Sequence, residues 1–121
     1  MKTTISCPLH YTMSLIGTKW KPLVLFHLLD GPLRSGVLQK KVPEISNKMF
    51  TQTVRELEKD GLVARKVYPV VPPKVEYKLT SRGFSLKDIL IGLDQWGEND
   101  LKQLKKASSH YPEEAFFKYI Y

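Results

Sequence analysis

The chain has 121 residues, 42% of them hydrophobic, and its 19 Lys/Arg against 12 Asp/Glu give a formal net charge of +7. That length supports one hydrophobic core and is short for two. No apolar run approaches the roughly 18–20 residues that span a bilayer, no signal-peptide h-region opens the chain, and one cysteine, Cys7, excludes an intrachain disulfide framework. A cytoplasmic protein without a membrane partner is therefore expected. Between residues 18 and 78 twelve Lys/Arg stand against six Asp/Glu, so six of the seven net charges lie there. Such a balance suits a polyanion, of which nucleic acid is the commonest.

Residues 7–17 read as a short helix ended by Gly17, with Leu9, Met13 and Ile16 on one face. A second helix runs from about residue 19 to 29; Pro22 falls in its first turn, where a missing N–H costs little. Trp20, Leu23, Val24, Phe26, His27 and Leu28 make it apolar over much of its girth, so it is expected to be the most buried element. Asp30-Gly31-Pro32 stops it. A third, short helix is expected from residue 34 or 35 to 41, with Val37, Leu38 and Val42 inward.

Only Pro43-Glu44-Ile45 separates it from the clearest helix of the chain, residues 46–60. Ser46 is its N-cap, Ile45 and Phe50 occupy the two ends of a hydrophobic staple, and Gly61 is placed at C′. Phe50, Val54 and Leu57 fall on one side; Lys48, Thr51, Gln52, Arg55 and Lys59 gather on the other. Arg and Gln can bond bidentately to guanine and adenine edges, Lys neutralises phosphate, and the Thr methyl meets a thymine methyl. Taken alone, the same face also fits an ordinary solvated surface. Two helices joined by so short a link, the second cationic outside, have the plan of a helix-turn-helix.

After Gly61 the period changes from 3.6 to two. Residues 62–68 and 74–79 are β-rich, which predicts a half-buried antiparallel hairpin. Its connection, Pro69-Val70-Val71-Pro72-Pro73, contains three prolines and predicts a stiff protruding loop. With Arg65, Lys66, Lys74 and Lys78 beside it, the hairpin has the form of a wing that lays cations on phosphates or a minor groove; a plain solvent-facing hairpin is the alternative. Thr80 caps an expected long final helix to about residue 106, whose stripe of Phe84, Leu86, Ile89, Leu90, Leu93, Trp96, Leu101 and Leu104 exceeds what so small a fold covers. A second copy is the economical partner, with Leu9, Met13, Leu86, Leu90, Leu93, Trp96, Leu101 and Leu104 as the expected dimer interface. Packing within one chain is the alternative. Residues 107–121 form an aromatic-rich tail expected to dock on the body or across a dimer.

Cys7-Pro8, Leu15-Ile16-Gly17-Thr18-Lys19-Trp20, Leu29-Asp30-Gly31-Pro32, Ile45-Ser46-Asn47-Lys48-Met49, Arg55-Glu56-Leu57-Glu58-Lys59-Asp60-Gly61-Leu62 and Tyr68-Pro69-Val70-Val71-Pro72-Pro73-Lys74-Val75-Glu76-Tyr77 occur in an order that resembles the HxlR family of bacterial transcription regulators. Trp96-Gly97 fits that family's final helix. The resemblance covers about residues 7–105 and implies a mainly α protein with a small antiparallel β-hairpin: a winged helix-turn-helix of MarR-like architecture, with N-terminal and long C-terminal dimerisation helices. It implies one DNA-binding domain, residues 7–106, followed by the tail. It further implies a homodimer on double-stranded operator DNA, a recognition helix over residues 46–60 that presents Ser46, Lys48, Met49, Thr51, Gln52 and Arg55, and a wing over residues 68–76; the cationic pattern read above adds Lys59 on the helix, and Arg65, Lys66, Tyr68, Lys74 and Lys78 are the expected DNA contacts of the wing. The stretch Arg34-Ser35-Gly36-Val37 departs from the family pattern, which more often has an aromatic after the arginine. In several members a cysteine matching Cys7 senses oxidants or electrophiles; an exposed, stabilised thiolate is the requirement, and a packed inert thiol the alternative.

No phosphate-cradling glycine loop, zinc-ligand spacing or catalytic constellation is present in the sequence, so neither catalysis nor a metal or cofactor is expected. A winged helix used for protein or RNA interaction is the remaining rival. Base-reading side chains on a helix, rather than stacking aromatics on a sheet, favour duplex DNA.

Overall fold

The structure, a computed structural model, describes residues 7–106; the aromatic tail expected to dock lies outside the described residues. The elements are α1 (Pro8–Ile16), α2 (Lys21–His27), β1 (Leu33–Arg34), α3 (Ser35–Lys41), α4 (Asn47–Lys59), β2 (Val63–Tyr68), β3 (Lys74–Leu79), α5 (Ser81–Phe84) and α6 (Lys87–Lys106). The chain divides into two units between Lys87 and Asp88.

In the first unit α2, α3 and α4 enclose the core: Val24, Leu25, Leu28, Leu38, Val42, Phe50, Val54 and Leu57 are all buried. Val37, expected inward, is instead exposed on α3. The turn before α4 holds Glu44 at φ 65°, and Gln39 Nε2 donates to Asn47 Oδ1 at 2.5 Å, tying the end of α3 to the start of α4.

Both ends of α4 are fixed by local chemistry. Ser46 Oγ accepts from the Met49 N–H at 3.0 Å, and Ile45 and Phe50 are buried at the staple positions. At the far end Gly61, φ 74°, takes the left-handed conformation that glycine adopts without steric cost. The Gly61 N–H donates to Glu58 O and the Leu62 N–H to Leu57 O, both at 3.0 Å, which is the Schellman pattern; Leu57 and Leu62 are buried beneath it. The chain leaves this cap directly into β2.

The expected hairpin is part of a three-stranded antiparallel sheet in the order β1-β3-β2. β1, not foreseen, pairs Leu33 with Tyr77 and Arg34 with Glu76. Tyr77 is buried edge-to-face against Phe50, 6.2 Å between ring centroids, which joins the sheet to the inner face of α4.

Thr80 is an N-cap, as expected, but of the four-residue α5 and not of one long helix: its Oγ1 accepts from the Gly83 N–H at 3.0 Å and donates to Gly61 O at 2.6 Å. The chain breaks at Ser85-Leu86 before α6, so Phe84 and Leu86 are not on the long helix. Gly83 is fixed by proximity, since a Cβ there would lie 2.0 Å from Leu62 O.

The second unit contributes α6, with Asp88 in its first turn and Lys105 and Lys106 in its last, both favourable to the helix dipole. Glu98 and Lys102 pair at 3.3 Å. Among the described residues a Cβ at Gly92 or Gly97 would meet nothing within 4 Å, so neither glycine marks a close backbone approach there.

Candidate nucleic-acid interface

One groove on the outside of α4 is lined by Asn47, Lys48, Thr51, Gln52, Arg55 and Glu56. Four of the side chains expected to face DNA, Lys48, Thr51, Gln52 and Arg55, thus come together, because spacings of three and four return to one side of a helix whose other side is core. Lys59 is exposed in the last turn, outside this groove. Met49 is partly exposed, while its backbone is engaged at both ends: the N–H by Ser46 Oγ and the carbonyl by Thr53 Oγ1 at 2.7 Å. The Ser46 hydroxyl oxygen is committed to its cap.

Glu56 and Asn47 were not among the expected site residues. Glu56 Oε2 accepts from Gln52 Nε2 at 3.0 Å, and Glu56 Oε1 pairs at 2.9 Å with Lys21 Nζ, whose side chain is 8% exposed. The bond and charge of Lys21, together with the bond from Gln52, hold the Glu56 carboxyl below its ordinary pKa. The Gln52–Glu56 bond was readable as an i,i+4 pair. Lys21 was not, because it sits on another helix.

On the wing the register separates the expected cations. Lys66 lies opposite Glu76, Tyr68 opposite Lys74 and Ala64 opposite Lys78, so Lys66, Tyr68, Lys74 and Lys78 share one face. Arg65 points to the other face and pairs with Glu58 of α4 at 3.6 Å. Two ammonium groups stand over the Tyr68 ring, Lys66 at 4.8 Å and Lys74 at 4.6 Å from its centroid. Its hydroxyl donates to Glu76 Oε1 at 3.3 Å, and Lys74 reaches the other oxygen at 3.8 Å. Arg34 joins this face as the partner of Glu76 across β1, adding a cation that sequence periodicity did not bring to the wing. At the tip Val71 is 99% exposed.

Cys7 is exposed at the N-cap position of α1. Leu9 and Met13 on the same helix are exposed too, as are Leu93 and Trp96 on α6, the last at 70%. Leu101 and Leu104 are half-buried. Leu90 is buried, at 3% exposure, and so offers little free surface, while Leu86, between α5 and α6 in sequence, is half-buried.

Residues 15–105 match the HxlR-like helix-turn-helix family. The chain is 54% identical over 92 residues to the uncharacterized HTH-type transcriptional regulator YkvN of Bacillus subtilis (strain 168), covering 76% of this chain and 78% of that protein. Among solved structures it is similar to the redox regulator HypR in its oxidized form, with TM-score 0.74 and 44% identity over 77% of this chain and 96% of that one. It is also similar to the diamide-treated YodB of B. subtilis, with TM-score 0.62 and 35% identity over 78% and 95%. No helix among the described residues is long and apolar enough to cross a membrane. With α3 and α4 as the helix-turn-helix and β2–β3 as the wing, the chain belongs to the HxlR-like helix-turn-helix family of DNA-binding transcription regulators.

Proposed function

We propose that this regulator acts in the cytoplasm as a homodimer that binds one pseudo-palindromic duplex operator. The observation that carries the proposal is the single groove on α4 in which Lys48, Thr51, Gln52 and Arg55 stand together, exposed, on a helix capped at both ends. Thr51, Gln52 and Arg55 read base edges; Lys48, Lys59 and the wing cations Lys66, Lys74 and Lys78 attract phosphate. Two copies meet through the exposed apolar side chains of α1 and α6, among them Leu9, Met13, Leu93 and Trp96. Half-sites then lie about 34–36 Å apart or a multiple of that. The test is competition binding: one pseudo-palindromic duplex should displace random duplex, single strands and RNA. Equal affinity for all four favours a winged helix used in protein or RNA interaction instead.

The exposed thiol of Cys7, together with likeness to a redox regulator, supports a redox-responsive reading of the same dimer. Two Cys7 thiols, one from each subunit, would give two electrons and two protons to diamide, forming an intersubunit disulfide and the hydrazine; a quinone would instead add to one thiolate. Either changes the spacing of two reading helices. Diamide or a quinone should alter operator affinity of the wild type and not of Cys7→Ser; unchanged affinity in the wild type removes this part of the proposal.

A further inference from the structure

Gln52 does not stand free in the groove. Its Nε2 donates to Glu56 Oε2, and Glu56 Oε1 is held by Lys21 from the first turn of α2, where the Lys21 backbone N–H in turn donates to Thr18 Oγ1 at 3.3 Å. An ionised carboxylate can only accept, so the nitrogen of the Gln52 amide, and not its oxygen, must face Glu56. The two-fold ambiguity of a glutamine amide is thereby removed. The bond to Glu56 uses one N–H and leaves the other N–H and the carbonyl oxygen, side by side on the amide, as the donor–acceptor pair that complements N7 and the N6 amine of adenine. The Lys21 bond and charge also keep the Glu56 acceptor ionised and offset a negative charge that would otherwise stand on a surface facing phosphates.

We infer that Glu56 is a positioning residue that fixes the amide of Gln52 and so sets its base preference, with the near-buried ammonium of Lys21 as its anchor. The inference rests on the operator-binding function proposed above. Glu56 itself touches no base; it acts through Gln52.

The experiment is a binding selection on a randomised duplex library with the full chain as wild type, Gln52→Ala, Glu56→Ala, Glu56→Gln and the Gln52→Ala/Glu56→Ala double variant, each checked by its thermal midpoint. The wild type should show an adenine-preferring position that Gln52→Ala weakens by about 5- to 150-fold, the range of one bidentate contact. Glu56→Ala should weaken the same position by at least about 5-fold and leave the others unchanged, and the double variant should be no worse than Gln52→Ala, as for two groups acting as one unit. Glu56→Gln, of the same size but able to donate as well as accept, should relax that preference too, and serves if Glu56→Ala does not fold. Wild-type preference at that position in the Glu56 variants, loss spread evenly over all positions, or no positional effect of Gln52→Ala overturns the inference while leaving operator binding intact. A wild type that selects no sequence overturns both.

Discussion

On α4 the outward side chains rise from a backbone locked at both ends: Ser46 caps one, the Gly61–Leu62 turn closes the other, and Phe50, Val54 and Leu57 anchor the inner face. On the wing the outward side chains rise from a narrow sheet whose tip carries a fully exposed valine, and they are steadied by one another, two lysines against one tyrosine ring and a shared carboxylate. In the first region position is built into the backbone, with Glu56 and Lys21 adding a side-chain hold on Gln52; in the second it is built into the side chains. Base edges demand fixed donors and acceptors, whereas phosphates accept a cation from many directions. On the proposed function, the difference between the regions follows the difference between what each would contact.

The largest expected effect breaks the rigid region. Leu57→Ala removes a side chain that is fully buried, and large-to-small changes in a core cost about 2–5 kcal/mol, so urea or thermal unfolding should show a destabilised or unfolded protein. Gly83→Ala should follow at about 1–3 kcal/mol, because its Cβ would press on the Leu62 carbonyl just where α4 hands over to β2. Next come two variants that separate the regions by function. Arg55→Ala should cost about 1–3 kcal/mol of discrimination at one base pair, while Lys74→Ala should weaken all sequences alike and lower the salt slope by about one. Affinity against salt on matched and mismatched duplexes checks both, and a positional effect from Lys74→Ala would erase the contrast. Ser46→Ala should cost about 1 kcal/mol by loss of the cap.

The smallest effect concerns pH. The Glu56 carboxyl is held below its ordinary value of 4.5 in the folded chain, so its contribution to stability is full above that value and is lost as pH falls through the lowered one. Because the carboxylate is solvent-exposed in part, screening keeps the effect small. Comparing acid unfolding of the wild type and Glu56→Gln should show a shallower loss in the variant.

What the sequence discloses about this fold is what neighbours in sequence decide. Ser46 and Gly61 bound α4 through bonds spanning three to five residues, and the alternation of residues 74–79 betrays a strand whatever it pairs with. β1 escapes because two residues carry no period; only its pairing with Glu76 and Tyr77, more than forty residues away, makes it a strand. The break at Ser85-Leu86 contains neither glycine nor proline, so nothing local announces it. In the site, Lys48, Thr51, Gln52 and Arg55 are legible from helical spacing. Lys21 is not: a lysine in the first turn of an apolar helix reads as surface until α2 packs beside α4 and brings Glu56 to it.

Arg82 gives α4 a mechanical connection. Its Nη1 donates to Asp60 O, the carbonyl that closes α4, and its Nη2 donates to the Tyr11 hydroxyl of α1 at 3.0 Å. The guanidinium is thus a strut between α1 and the C-terminal end of α4. Any force that repositions α1 must either drag Arg82 along or part it from Tyr11. In the first case the last turn of α4 feels the pull; in the second the carbonyl of Asp60 keeps its guanidinium and this link from α1 to α4 is lost.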